Sequence, residues 1–168
     1  MKIAASLALA FGLTAAMATA SRAGTCETRL FEDLPFVVCT AHVGEDLRLF
    51  LRNADGRPLG SFAAVNDVLA SDGATLAFAM NAGMYHADRR PVGYYVEGGQ
   101  ELAPLQRKPG PGNFGLVPNG VFCITEQSFA VIETLAFDAA RPDCRYATQS
   151  GPMLVLSGQL HPKFLADS

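Results

Sequence analysis

Val92-Gly93-Tyr94-Tyr95-Val96-Glu97-Gly98-Gly99-Gln100-Glu101-Leu102-Ala103-Pro104-Leu105 sets two β-prone runs on either side of a Gly-Gly pair. Aromatic and β-branched residues suit a pleated, half-buried surface, and paired glycines can both take the positive φ of a two-residue turn. The stretch therefore predicts an antiparallel hairpin with strands over 92–96 and 100–105. Working downstream, 117–125 and 128–133 predict a second hairpin, followed by a short helix around 135–140. Residues 153–156 give the last strand, ending at the Ser157-Gly158 turn. Upstream, 75–80 reads as a buried strand. Ser61 is placed to cap a helix through Leu69, on which Phe62, Val65, Val68 and Leu69 recur at helical spacing. Asn53-Ala54-Asp55-Gly56 breaks the chain. Before it, Leu47, Leu49 and Leu51 alternate with Arg48 and Arg52 in a half-buried strand, and 35–43 is a mostly apolar one. Eight or so short strands with two short helices imply an α+β fold, built mainly as an antiparallel twisted sheet.

The 168 residues suit one domain, and a composition that is 49% hydrophobic and 17% charged excludes the disordered and collagen-like classes. Lys2 followed by an apolar run to Ala18, then Ala18-Thr19-Ala20 and Ser21-Arg22-Ala23, has the pattern of a cleaved signal peptide over 1–23. The folded domain is then expected over 24–168, in the periplasm or secreted. Losing Lys2 and Arg22 leaves eleven basic residues against 16 acidic ones. With no run of four Lys/Arg, neither nucleic acid nor an anionic membrane is an expected partner, and beyond the export signal no segment is expected to span a membrane.

Cys26, Cys39, Cys123 and Cys144 form an even set in an exported chain, which points to two disulfides with three connectivities open. Pairing neighbours in sequence, Cys26 with Cys39 and Cys123 with Cys144, is preferred because each couple flanks one strand-turn unit. Each loop so closed contributes about 3 kcal/mol in the loop-entropy model. There is no C-x-x-C and the three histidines stand far from the cysteines in sequence, so no metal is expected.

Three segments carry side chains suited to chemistry. Asn81-Ala82-Gly83-Met84-Tyr85-His86-Ala87-Asp88-Arg89-Arg90 places an amide, an imidazole, a carboxylate and two guanidinium groups in ten residues, as a binding loop or an ordinary polar turn. Lys108-Pro109-Gly110-Pro111-Gly112-Asn113-Phe114-Gly115 lets backbone N–H groups approach a ligand beside Asn113, or serves as a flexible connector. Ala147-Thr148-Gln149-Ser150-Gly151-Pro152 puts polar side chains at a strand break. His42 and His161 read as surface turn residues. No G-x-S-x-G, Gly-Lys-Ser/Thr or G-x-G-x-x-G is set between a strand and a helix, which excludes the serine-hydrolase elbow and the common nucleotide loops.

Those segments also carry a resemblance. Phe78-Ala-Met-Asn-Ala-Gly-Met-Tyr-His86, Pro91-Val-Gly-Tyr-Tyr-Val-Glu97, Gly112-Asn-Phe114, Pro118-Asn-Gly-Val-Phe122 and Ala147-Thr-Gln-Ser-Gly-Pro-Met-Leu154 are similar, in order, to the bacterial branch of the phosphodiester glycosidase domain family, whose domain is shared with the mammalian uncovering enzyme. The resemblance implies an exported hydrolase that cleaves a sugar from a sugar-1-phosphodiester, with a glycan phosphodiester as partner and no cofactor. Since phosphate leaves as a stable anion, charge stabilisation matters more than strong proton donation. Asn81 and Gly83 are then expected to orient the sugar or phosphate, His86 and Arg89 to hold phosphate oxygens, and Glu97 or Asp88 to act as acid/base. Asn113, Gln149, Ser150 and Gly151 complete the expected substrate-binding set.

The family's pattern continues past the stretch resembling His161-Pro-Lys-Phe-Leu-Ala-Asp167 into an Arg-Asn-Gly-Val-Gly-like segment and an Asp-Gly-Gly motif. Neither follows here, so the expectation is an incomplete domain whose second carboxylate lies in the absent part. The alternatives are a non-catalytic periplasmic protein that binds a glycan or sugar phosphate, and an inactive fragment.

Overall fold

In the computed structural model, which describes residues 24–161, the elements run β1 (Thr25–Phe31), β2 (Leu34–Thr40), α1 (Phe62–Ala70), β3 (Tyr95–Glu97), β4 (Gln100–Ala103), β5 (Gly120–Ile124), β6 (Phe129–Glu133), α2 (Thr134–Ala140), β7 (Tyr146–Ser150), β8 (Val155–Leu156) and β9 (Gln159–Leu160). The expected leader over 1–23 lies outside the described residues. Gly98 and Gly99 both take positive φ, 58° and 81°, and turn β3 back onto β4 as the Gly-Gly pair requires. β3 to β7 form one five-stranded sheet in the order β4-β3-β7-β5-β6, and every neighbouring pair is antiparallel. With the two short helices this is the α+β architecture. β1–β2 and β8–β9 are separate two-stranded units.

Side chains alternate across a strand, so the sheet has two distinct faces. On one, Val96, Val121, Cys123 and Ala147 pack with Tyr94, Leu105, Cys144 and Phe137, and Ile132 closes the rim. Phe137 comes from α2 and has no exposed surface, with its ring 5.3 Å from that of Tyr94. α2 starts where Glu133 accepts from the backbone N–H groups of Leu135 (2.9 Å) and Ala136 (3.0 Å), and it ends at Arg141 in the left-handed region (φ 44°). On the other face, register places Phe122 opposite both Val131 and Thr148, and Tyr95 opposite Thr148. That face looks into an open cleft.

Helix α1 begins as expected, with Ser61 Oγ accepting from Ala64 N at 3.2 Å. Asn66 Oδ1 accepts from Leu76 N (2.9 Å) and fastens the following segment to the helix. Both disulfides join the neighbours in sequence: Cys26–Cys39 bridges β1 and β2, and Cys123–Cys144 ties β5 to the approach to β7, with Cα separations of 4.0 and 5.5 Å.

Four expectations need correction. Residues 75–80 form no strand, and Phe78 and Met80 are exposed, because among the described residues no neighbouring strand offers them a ladder. Residues 47–51 are likewise irregular; pairing in this region is limited to a single Arg52–Pro58 bridge. The polar stretch from Ala147 is no strand break but lies in β7, the central strand of the sheet. His161 is buried, not a surface turn residue, and its N–H bonds Leu154 O at 2.9 Å.

Candidate functional site

Central strand β7 carries Gln149, whose side chain holds loops. Gln149, 1% exposed, accepts at Oε1 from the backbone N–H groups of Tyr94 and Gln106, both at 3.0 Å. Its Nε2 donates to Gln106 O (2.8 Å), Thr134 Oγ1 (3.0 Å) and Asn119 Oδ1 (3.4 Å). Thr134 Oγ1 in turn donates to Asn119 Oδ1 (2.7 Å), and Asn119 Nδ2 donates to Phe114 O (3.1 Å). A buried amide with its donors and acceptors engaged is inexpensive to bury and strongly directional. One side chain thus fixes β3, the 106 segment and the start of α2 around the sheet.

Two glycines let further loops lie against β7. A Cβ on Gly83 would overlap Thr148 Oγ1 and come within 2.8 Å of Gln149 O, and one on Gly93 would stand 2.5 Å from the Phe114 ring and 2.7 Å from Gln149 Oε1. The segment from Asn81 consequently crosses β7, and the Phe114 loop rests on Gly93. Where they meet, a cleft of about 600 Å³ is lined by Asn81, Gly83, His86, Asn113, Phe114 and Ser150. Three regions remote in sequence converge here, and five of the expected binding residues share one cavity wall.

The loop beyond Asn81 is a closed structure. Tyr85 bridges Pro91, His86 N donates to Arg90 O (2.8 Å), Arg89 N to His86 O (2.8 Å) and Val92 N to Met84 O (3.0 Å). Asp88 accepts from both the backbone N–H (3.1 Å) and Nε (2.6 Å) of Arg90. Those bonds hold the Asp88 carboxyl below its ordinary value, so it stays ionised. The turn's ion pair therefore goes to Arg90. Arg89, at φ 68°, instead lies with its guanidinium 4.9 Å above the Tyr85 ring.

Arg89 and Gly151 belong to the wall of the larger cleft, about 800 Å³, which runs along the open sheet face and shares Asn81, Gly83, Tyr85 and Ser150 with the smaller one. Among the described residues neither expected carboxylate lines either cleft. Asp88 is in the exposed turn, and Glu97 stands half-buried at the end of β3. Glu97 Oε2 accepts from Tyr95 Oη at 3.0 Å; desolvation raises its carboxyl above the usual value, against the opposing pull of the Tyr95 hydroxyl and the Leu51 backbone N–H. Tyr95 itself lines the larger cleft, and burial drives its hydroxyl well above the ordinary phenol value.

Sequence reasoning gave no role to Asn119 or Thr134. Asn119 stands inside one of the strings carrying the family resemblance, the one signal that could have found it. Thr134 has no signal beyond its place at a strand-to-helix junction.

A family model described as phosphodiester glycosidase matches residues 74–168. The chain is also 32% identical over 119 residues to the uncharacterized protein YigE of Escherichia coli (strain K12), a stretch that makes up 71% of this chain and 46% of YigE. The chain thus spans about half the length of that curated relative. No solved structure matches.

Proposed function

We propose, from the premise that this chain belongs to the phosphodiester glycosidase family, that it is an exported hydrolase cleaving the bond between a sugar's anomeric carbon and a phosphodiester oxygen. The observation that carries this reading is the meeting of Asn81, His86, Asn113 and Ser150 in one cleft, with Arg89 on the adjoining wall. Amide, hydroxyl, imidazole and guanidinium groups together suit a phosphate diester, whose oxygens are strong acceptors. In this reading Asn81 and the backbone at Gly83 orient the substrate, His86 and Arg89 hold the phosphate oxygens, and Asn113 and Ser150 bind sugar hydroxyls. Gly151 shapes the wall, and Gln149 acts from behind it by holding β7 to the loops.

Water adds to the anomeric carbon as the C–O bond breaks; the bond electrons and the oxygen leave with the phosphate, and the water proton passes to the medium or to a base. The leaving monoester is a stable anion, so stabilising its charge carries more of the barrier than protonating it. Glu97, whose burial favours the protonated form, is the better acid/base of the two expected carboxylates; Asp88, held ionised by Arg90, suits only a base or an electrostatic role. The two disulfides fit an oxidising compartment, consistent with export.

The absence of any carboxylate from the cleft walls among the described residues favours a second reading, binding of a sugar phosphate without turnover. Incubating the chain with an N-acetylglucosamine-1-phosphodiester and measuring free sugar separates the two. Release that falls at least about tenfold in Arg89→Ala and Asn81→Ala supports hydrolysis at this cleft. Saturable binding with no sugar released supports the second reading, and neither binding nor release overturns both.

A further inference from the structure

Two adjacent arginines in the loop beyond Asn81 have different partners. Arg90 pairs with Asp88, which gives one carboxylate oxygen to the Arg90 backbone N–H (3.1 Å) and the other to Nε (2.6 Å). Arg89 forms no ion pair among the described residues, and its guanidinium lies 4.9 Å from the centre of the Tyr85 ring. The other guanidinium in the cleft walls, Arg48, is held by both oxygens of Asp46, each at 2.6 Å. Among the described residues Arg89 is therefore the cleft-wall guanidinium whose charge no carboxylate neutralises. Its backbone is in the left-handed region, φ 68°, which an arginine adopts at a cost. The turn closes around that conformation, with Arg89 N donating to His86 O and His86 N to Arg90 O, both at 2.8 Å. Tyr85, 45% exposed, lines both clefts, whereas His86 lines the smaller alone and Arg89 the larger alone. The ring thus stands where the clefts join, between a wall bearing the imidazole and a wall bearing the guanidinium.

Given that this cleft takes a phosphodiester, as proposed above, we infer that Tyr85 is a positioning residue, its ring holding the Arg89 guanidinium at the junction of the two clefts as the anion clamp for the phosphate. A guanidinium attracted to a ring face spends no N–H donor on a carboxylate, so its planar fork stays open to phosphate oxygens. The ring also orders a long side chain before the anion arrives, which lowers the entropy cost of binding. One uncompensated guanidinium matches the single negative charge of a phosphate diester. Asp88 does not compete for it, because both of its oxygens are engaged by Arg90.

A phosphorus NMR titration with inorganic phosphate reads the clamp without turnover. Arg89→Ala should weaken binding at least about tenfold. Tyr85→Leu should weaken it about threefold to fivefold, and Tyr85→Phe, which keeps the ring, should recover most of that loss. The double variant Tyr85→Leu/Arg89→Ala should bind about as Arg89→Ala does, because the ring acts only through the arginine. Amide protection at His86 and Val92 should be the same in all four variants, since those backbone bonds do not involve the ring. Millimolar guanidinium chloride, compared with sodium chloride at equal ionic strength, should restore phosphate binding to Arg89→Ala and not to the double variant; a ring that only shaped the loop would not make that difference. Tyr85→Leu binding like wild type, additive losses in the double variant, rescue indifferent to Tyr85, or a wild-type chain that binds no phosphate each overturns the inference. The expected pattern in a chain that releases no sugar from the phosphodiester overturns hydrolysis and still supports the clamp.

Discussion

The two faces of the five-stranded sheet are made by the same strands and differ in what covers them. Gly120-Val121-Phe122-Cys123-Ile124 is apolar at every position, so β5 reads as buried on both sides. Val121 and Cys123 do enter a closed core, sealed by Phe137 from α2. Phe122 and Ile124 lie on the other face, in the wall of the cleft bordered by the irregular segments 47–51 and 76–84 and by α1, where Ile124 is buried and Phe122 only half-buried. Apolar patterning thus reports which positions seek burial. Whether they obtain it depends on a second layer, and within the described residues only one face has a complete one.

Truncation on each face tests this contrast most strongly. Phe137→Ala should cost about 3–5 kcal/mol, because a fully buried ring leaves a cavity that rigid neighbours cannot fill. Val131→Thr, isosteric and on the open face, should stay within about 0.5 kcal/mol. Urea midpoints read both. Equal losses would show that the open face is closed in solution.

The same contrast explains which parts of the fold were legible in the sequence. Turn and cap chemistry is local, so Gly98-Gly99, the Ser61 cap, the second hairpin and its following helix could all be read from neighbouring residues. The disulfide pairing was legible for the same reason. Residues 75–80 and Leu47 to Leu51 were misread because an apolar run predicts a strand only if a partner strand exists, and here they border the cleft unpaired. β7 was misread in the opposite sense. Thr148 and Gln149 read as polar side chains at a strand break, yet they are buried within the strand, and the acceptors and donors that satisfy Gln149 come from Tyr94, Gln106, Asn119 and Thr134, up to 55 residues away. For the candidate site, the loop at Asn81 and the Gly112-Asn113-Phe114 segment were visible as separate motifs. Their convergence depends on that same buried network, which no local pattern encodes.

Gln149 gives the next largest effect and sharpens the comparison on adjacent residues of one strand. Gln149→Leu removes the acceptor for two backbone N–H groups and the donor to Gln106 O, leaving them unpaired in the interior; a loss of about 2–4 kcal/mol is expected. Thr148→Val, on the opposite side of β7, should cost less than about 1 kcal/mol, since Thr148 is not part of that network. Hydrogen exchange should also show the amides of Tyr94 and Gln106 losing protection in the leucine variant alone. Protection retained there would mean that the network does not hold the loops.

Glu97 gives the smallest effect, and its sign is diagnostic. Burial raises its carboxyl in the folded chain, so between the ordinary glutamate value and that raised value the folded state binds the proton more readily than the unfolded state. Its contribution to stability is therefore best at low pH and declines as pH rises through that window. Asp46, Asp88 and Asp138 act in reverse: hydrogen bonds from Arg48, Arg90 and Arg107 lower them, Asp138 to about 2, and their stabilisation is lost as pH falls through the folded values. Glu97→Gln keeps an acceptor for Tyr95 Oη while removing the buried charge, so it should stabilise the chain at neutral pH by less than about 1 kcal/mol and leave the acid limb unchanged. The difference between wild-type and variant melting temperatures should shrink as pH is lowered through the carboxylate range. A variant less stable than wild type at neutral pH would show instead that the Glu97 charge is held by compensating donors, and would place this carboxylate in a more polar setting than the half-buried end of β3 provides.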